Sequence, residues 1–184
     1  MSGRHPWLRI AIPALFFAGA AVLLFGVLSS GDDERPSALI GKPAPALELA
    51  PLDGHPLATG ADLRSDGIKL VNFWASWCAP CRVEHPSLEN IAAKGFAIYG
   101  VNYKDKPDNA QSFLSELGNP YRAIGADAKG RTAIEWGVYG IPETFLVDGQ
   151  GRIILRVAGP VTSRVYRDRI APVLDRAGIE EPGS

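Results

Sequence analysis

The chain has only two cysteines, and the sequence Cys78-Ala79-Pro80-Cys81 separates them by two residues. A disulfide between them would close a very small loop and remove little chain entropy, so it would stabilise the fold only weakly. A C-x-x-C that follows a strand-like run and opens a helix-like run is typical of a redox pair. The spacing therefore indicates a reactive pair rather than a structural crosslink.

The two cysteines are expected to have different roles. Cys78 falls at the predicted amino end of a helix, where free backbone N–H groups and the helix dipole favour a negative charge. Its thiol should have a lowered pKa and act as the attacking thiolate. Cys81 lies one helical turn further on, where it can resolve the mixed disulfide that Cys78 forms with a partner. Pro80 lacks an N–H group and stiffens the loop.

Other ligand classes find little support in the composition. A zinc site needs about four ligands, and one C-x-x-C supplies two, so no metal is predicted. No phosphate-binding glycine motif follows a strand. The net charge of −1 over 184 residues does not favour nucleic acid as a partner. The redox-active disulfide Cys78–Cys81 is thus the expected electron carrier, with no other cofactor.

The apolar runs around the cysteines predict a mixed α/β domain. The predicted elements are a strand over Ile68–Trp74, a helix over Ala79–Lys94 interrupted by Pro86, a strand over Phe96–Asn102, a helix over Pro107–Leu117, a helical turn over Ala133–Val138, a hairpin of Thr144–Val147 and Arg152–Val157, and a closing helix over Thr162–Ala177. This order favours a central mixed sheet with helices on both faces.

An uncharged apolar run, Ile10–Leu28, lies near the amino terminus. A helix of that length spans roughly 28 Å, close to the thickness of a hydrocarbon core. Arg4 and Arg9 precede it and acidic residues follow it, which predicts a cytoplasmic amino terminus with the rest outside. A cleaved signal peptide, cut near Ala18-Gly19-Ala20, is the alternative.

The predicted organisation follows from that run. We expect a cytoplasmic segment over 1–9, one transmembrane anchor over 10–28, a linker over 29–37, a folded domain over 38–178 and a tail over 179–184.

The segment Val71–Pro86 resembles the active-site region of thioredoxins, including a proline five residues after the second cysteine. Ile141-Pro142 resembles the thioredoxin cis-proline segment, which implies a cis bond and a peptide-binding edge beside the disulfide. Gly137–Phe145 is similar to the Gly-Val-x-Gly-x-Pro-Glu-Thr-Phe signature of the cytochrome c maturation thioredoxins, called CcmG or DsbE. Tyr99–Asp105 resembles the same family.

This resemblance implies a thioredoxin-like fold and a membrane-anchored disulfide reductase. Its client would be apocytochrome c or a cytochrome maturation protein, whose cysteines it keeps reduced. A membrane thiol reductant would supply the electrons. The expected location is the bacterial inner membrane, single-pass, with a periplasmic catalytic domain. The expected partner-binding residues are Trp77, Pro80, Ile141 and Pro142.

Asn72 stands where thioredoxins carry a buried aspartate, six residues before the first cysteine. An amide does not titrate, so another group must handle the proton. Glu84 lies one helical turn after Cys81 on the same face. The resemblance implies that Glu84 and Glu143 make the site acidic, that they take a proton from Cys81 as it attacks, and that their charge raises the thiol pKa. The alternatives are a solvated helix residue for Glu84 and a loop charge that contacts only the partner for Glu143.

Several neighbouring residues are expected to have ordinary roles. Trp74 and Trp77 should pack the active-site surface, and Trp77 is the one that could contact a partner. Lys104 and Asp105 are expected to be a solvated loop pair without a catalytic role. His85 is expected on the helix surface.

Three other functions stay open at this stage. A general extracytoplasmic disulfide reductase or oxidant would use the same cysteines without cytochrome specificity. A thiol peroxidase would need a Thr-x-x-Cys site, whereas Ala75 lies three residues before Cys78. A non-catalytic module that binds apocytochrome would not need the cysteines at all.

Overall fold

The computed structural model describes residues 8–29 and 37–176, which fall in two separate units. The first unit contains helix α1 (Leu8–Ser29), which has Pro13 inside it. Among the residues described, no helix is both long and apolar enough to cross a membrane.

The second unit carries the cysteines, and its elements alternate between strands and helices. They are a 3-10 turn (Asp62–Arg64), β1 (Lys69–Trp74), α2 (Ala79–Ala93), β2 (Ala97–Tyr103), α3 (Pro107–Leu117), β3 (Ala123–Asp127), α4 (Arg131–Glu135), β4 (Glu143–Val147), β5 (Ile153–Ala158) and a closing helix made of α5 (Ser163–Val165), a π-helical turn (Tyr166–Ile170) and α6 (Ala171–Arg176).

Five strands form one mixed sheet in the order β3-β2-β1-β4-β5. β1 pairs in parallel with β2, and β2 with β3, whereas β4 runs antiparallel to both β1 and β5. The predicted mixed α/β sheet is confirmed. Strand β3 was not predicted, because its sequence Ala-Ile-Gly-Ala-Asp has mostly small residues and lacks the β-branched run typical of a strand.

Alternation along β1 builds a core on each face of the sheet. Leu70 and Trp74 pack on one face in a cluster shared with α2, α3 and the closing helix. Val71 and Phe73 pack on the other face with Trp136, which follows α4. Because successive strand residues point to opposite faces, every residue of β1 is buried and the strand lies at the centre of the domain.

The element ends that matter for chemistry converge at one edge of the sheet. Trp74 at the carboxyl end of β1 pairs with Asn102 near the end of β2. Glu143 opens the antiparallel β4 and pairs with Phe73 and with Ala158 at the end of β5. The loops after β1, β2 and β5 and the loop before β4 therefore meet at that edge.

The closing helix begins as predicted, because the Thr162 hydroxyl caps it by accepting a hydrogen bond from the N–H of Val165 at 3.3 Å. It is described as far as Arg176, so the predicted end near Ala177 and Gly178 lies outside the described residues.

Candidate active site

The two cysteines lie at the start of α2 and are joined as a disulfide. Cys78 is the N-cap residue, and its sulfur accepts a hydrogen bond from the N–H of Cys81 at 3.2 Å. The side chains are nearly buried, with 4% of Cys78 and 2% of Cys81 exposed. Backbone N–H groups at a helix start stabilise a thiolate, so this position suits Cys78 for nucleophilic attack once the disulfide is reduced.

Glu84 lies fully buried on the same face of α2 as Cys81. Its two carboxylate oxygens accept hydrogen bonds from the Asn72 amide at 2.9 Å and from the N–H of Val161 at 2.8 Å. Burial raises the pKa of Glu84 to about 7, and the two hydrogen bonds oppose that rise. Glu84 is therefore not a solvated helix residue, and it can change protonation near neutral pH.

Asn72 connects Glu84 to two other buried groups. Its amide nitrogen also donates to the Thr144 hydroxyl at 3.0 Å, and its carbonyl oxygen accepts from the Tyr121 hydroxyl at 2.8 Å. Burial, reinforced by the Glu84 charge, holds the pKa of Tyr121 well above its usual value, so Tyr121 stays a proton donor. The position held by aspartate in thioredoxins is here a neutral link in a hydrogen-bond network.

The Ile141–Pro142 peptide bond is cis, as the resemblance implied. Pro142 precedes Glu143, and its carbonyl oxygen accepts a hydrogen bond from the N–H of Gly159 at 2.9 Å. The cis bond therefore lies at the same edge of the sheet as Trp74 and the loop that leads to Cys78.

Glu143 is only 1% exposed and forms an ion pair with Arg156. It also accepts a hydrogen bond from the N–H of Tyr139 at 3.4 Å, while the Arg156 guanidinium lies 5.0 Å from the Tyr139 ring centroid. Glu143 is therefore no solvated loop charge, because its carboxylate is held inside the protein by a cation and a backbone group.

The predicted partner-binding residues differ in how much of their surface is exposed. Trp77 and Pro80 are exposed, Ile141 is half-buried and Pro142 is buried. Trp77 has 58% of its surface exposed, whereas Trp74 is buried and stacks on Tyr121 with ring centroids 5.5 Å apart. Only Trp77 of the two tryptophans can therefore contact a partner.

Two expectations drawn from the sequence are wrong. His85 is buried rather than on the surface: its ring packs edge-on against Phe113 and its Nε2 lies 3.0 Å from the Gly118 carbonyl oxygen. Burial lowers the pKa of His85. Asp105 is not merely a solvated loop residue, because its carboxylate accepts a hydrogen bond from the N–H of Ser76, two residues before Cys78.

Tyr121 and Arg156 also belong to the site, although the sequence analysis did not identify them. Each reaches its partner through the tertiary fold, since Tyr121 lies 49 positions from Asn72 and Arg156 lies 13 from Glu143. The one available signal is an arginine inside an otherwise apolar strand, which requires a buried counter-ion.

This arrangement can exchange electrons with another disulfide. It presents a disulfide at a helix start, a buried carboxyl that titrates near neutral pH and a cis-proline loop at the same edge of a mixed sheet. These features define a thiol–disulfide oxidoreductase of the thioredoxin superfamily.

Comparison with known proteins narrows that class. The Redoxin family profile matches residues 39–170. The chain is 51% identical over 164 residues to the thiol:disulfide interchange protein HelX of Rhodobacter capsulatus, covering 89% of this chain and 93% of that one. It is 42% identical over 171 residues to the thiol:disulfide interchange protein DsbE of Escherichia coli, covering 90% and 92%.

Solved structures agree with the sequence relatives. The thioredoxin domain of a thiol-disulfide oxidoreductase from Bacteroides vulgatus superimposes with a TM-score of 0.60 at 25% identity, covering 73% of this chain and 97% of that one. The chain belongs to the CcmG/DsbE family of the thioredoxin superfamily.

Proposed function

We propose that the protein is a membrane-anchored, extracytoplasmic disulfide reductase that serves cytochrome c maturation. The observation that carries the proposal is the Cys78–Cys81 disulfide at the start of a helix, with Glu84 buried on the same helix face as Cys81. The family signature over Gly137–Phe145 supports the cytochrome assignment. Relatives named as thiol:disulfide interchange proteins support the reaction type.

The reaction begins with the reduced pair. The Cys78 thiolate attacks one sulfur of a client disulfide, forms a mixed disulfide and releases the second client sulfur as a thiolate. The Cys81 thiol then passes its proton to Glu84 and attacks the Cys78 sulfur. A Cys78–Cys81 disulfide forms, the client leaves with its second thiolate, and two electrons have moved to the client.

The oxidised protein must then be reduced again. A dithiol on a membrane thiol reductant attacks the Cys78–Cys81 disulfide through a second mixed disulfide, and its own cysteines become oxidised. Glu84 returns its proton to Cys81 in this direction. We propose apocytochrome c, or a maturation protein that carries it, as the client, because the haem-attachment cysteines must be thiols when haem is joined to them.

The uncharged apolar run Ile10–Leu28 in the sequence is the feature that supports the proposed anchor. In the proposed topology the amino terminus is in the cytoplasm and the catalytic domain in the periplasm, because Arg4 and Arg9 precede the run. Protease added to spheroplasts should then digest the catalytic domain of the full chain, which should stay with the membrane fraction. A soluble product that begins after Ala20 would instead support a cleaved signal peptide.

Complementation tests the client. A strain that lacks this protein and carries the full chain should regain haem-stained c-type cytochromes, whereas Cys78→Ser and Cys81→Ser should not restore them. An added small thiol should rescue both variants, because the missing activity is reduction. Full cytochrome maturation with both cysteines replaced would mean that the protein acts by binding. Normal c-type cytochromes in the strain that lacks this protein would favour a general disulfide reductase.

A further inference from the structure

The loop after β2 holds the segment that leads to Cys78. Asp105 in that loop accepts four hydrogen bonds, two on each carboxylate oxygen. Oδ2 accepts from the N–H of Ser76 at 2.6 Å and from the Asn102 amide at 3.0 Å. Oδ1 accepts from the Ser76 hydroxyl at 2.8 Å and from the N–H of Lys106 at 2.8 Å. One side chain thus fixes both the backbone and the hydroxyl of Ser76.

The neighbouring residue of the same loop fixes Trp77. The Trp77 indole N–H donates to the Lys104 carbonyl oxygen at 3.2 Å. Although 58% of the Trp77 surface is exposed, this bond ties the ring to the loop. An exposed aromatic ring with one fixed orientation, directly before the nucleophilic cysteine, is a preformed surface for an incoming chain.

Lys104 adopts a backbone conformation that a lysine rarely adopts, with φ of 46°. Its N–H donates to the Asp127 carbonyl oxygen at 3.1 Å, which anchors the loop to the end of β3. Gly130, at the start of α4, has φ of 72°, and a Cβ there would lie 2.5 Å from Lys104 Cε. The loop is therefore anchored to the end of β3 and packs closely against Gly130. Unusual backbone conformations of this kind cluster at functional sites.

We propose that Asp105 is a positioning residue for thiol–disulfide exchange. Asp105 holds Ser76, and the loop that contains Asp105 holds Trp77. Together these contacts keep the Trp77 ring in one orientation beside Cys78, where it can receive an apolar side chain that flanks the client's disulfide. The partner class is a protein or peptide disulfide with an apolar flank, as opposed to a small soluble disulfide. The inference rests on the proposed exchange at Cys78, and it holds whether or not the client is apocytochrome c.

Asp105→Asn tests the inference, with Asp108→Asn as the matched control. Asparagine keeps one acceptor oxygen, but its NH2 group replaces the other. That NH2 group cannot accept the hydrogen bonds that the second carboxylate oxygen now accepts. Asp108 lies on the first turn of α3, and its side chain is exposed. Its substitution removes the same charge three positions along the chain.

The measurement is the single-turnover oxidation of the reduced full chain with two probes, followed by acid quench and alkylation of the remaining thiols. One is a synthetic Cys-x-x-Cys peptide disulfide with a leucine beside its first cysteine, and the other is oxidised glutathione. For Asp105→Asn we expect the peptide rate constant to fall about 10- to 100-fold, while the glutathione rate constant changes by less than about threefold. The loss should show as a higher half-saturation concentration for the peptide. Asp108→Asn should match the wild type with both probes.

Trp77→Phe probes the same contact from its exposed side, where the substitution does not threaten the fold. It keeps an aromatic ring but removes the indole N–H that Lys104 binds. We expect a smaller loss with the peptide, and the double variant Asp105→Asn/Trp77→Phe should be no slower than the slower single variant, because both changes break one contact system.

Equal losses with peptide and glutathione would overturn the proposal, since they would indicate damage to Cys78 itself. So would equal behaviour of Asp105→Asn and Asp108→Asn, or losses that multiply in the double variant. Because both probes are generic disulfides, this test does not depend on the cytochrome client, which the complementation experiment addresses separately.

Discussion

Asn72 and Glu84 share a hydrogen bond of 2.9 Å, with the amide donating to the carboxylate. These residues lie 12 positions apart on β1 and α2, and both are fully buried. The titrating group of this site is therefore carried by the helix and supported by the strand. Because the Asn72 amide does not titrate, Glu84 is the one member of this pair that can gain or lose a proton.

Glu84→Gln should flatten the pH dependence of stability. Burial raises the pKa of Glu84 from 4.5 to about 7, so the folded state binds a proton that the unfolded state has lost. Its contribution is therefore fully present below about pH 4.5 and is lost as the pH rises through about 7. The difference amounts to about 3 kcal/mol in the free energy of unfolding.

Urea unfolding of wild type, Glu84→Gln and the exposed control Glu135→Gln between pH 4 and 8 measures this effect. The wild type and the control should lose stability over that window relative to Glu84→Gln. Parallel pH curves for all three proteins would show that Glu84 does not titrate with a raised pKa.

Glu84→Gln should also change the chemistry of the cysteines. Without the carboxylate, Cys81 loses its proton acceptor, so the pH profile of its alkylation in the reduced protein should shift. Mixed disulfides between Cys78 and a client should persist longer near neutral pH. An alkylation profile that superimposes on that of the wild type would show that Glu84 takes no part in the proton transfer.

Asn72→Asp should destabilise the protein in a pH-dependent way. The new carboxylate would face Glu84 where an amide now donates a hydrogen bond, and two buried like charges cannot both ionise. We expect a loss of about 3 kcal/mol or more at pH 8 and a smaller loss at pH 5, where the pair can share a proton. Asn90→Asp, at an exposed position of α2, should change stability by less than about 0.5 kcal/mol at both pH values.

Arg156→Gln should cost far more stability than loss of a surface arginine. It leaves the buried Glu143 carboxylate without its ion-pair partner, which typically costs about 3–5 kcal/mol. Arg164→Gln, which breaks an exposed pair with Asp168, should cost less than about 1 kcal/mol. Adding Glu143→Gln to Arg156→Gln should recover part of the loss. Equal midpoints in urea for the two arginine variants would show that the Glu143–Arg156 pair is not important for stability.

The sequence alone predicts the parts of this site that are local. Cys78, Cys81 and the start of α2 follow from spacing and from Pro80, and the strands beside them follow from apolar runs. β3 escapes prediction because Gly125 and its alanines give no strand signal; Gly125 packs so closely that a Cβ there would lie 2.5 Å from the Leu49 side chain. A close approach of that kind depends on the tertiary fold.

Burial of polar residues is equally invisible in a local pattern. His85, Glu143 and Asp105 look like surface residues until the fold supplies Phe113, Arg156 and Ser76 as neighbours. Each of these contacts joins separate parts of the chain. The Arg156 ion pair makes the burial of the Glu143 carboxylate tolerable, and hydrogen bonds hold the half-buried Asp105 carboxylate. Sequence spacing identifies the reacting atoms, whereas the residues that tune and position them become apparent only in the assembled fold.

The reduction potential of the Cys78–Cys81 pair tests the central claim most directly. The full chain would be equilibrated with glutathione redox buffers, and the fraction of free thiols measured by alkylation. Proteins of this fold range from about −270 mV for thioredoxin to about −120 mV for a strong oxidant. A dedicated reductant that is recharged through the membrane should lie below about −200 mV. A value near −120 mV would mean that the protein inserts disulfides, which would contradict a role in keeping client cysteines reduced.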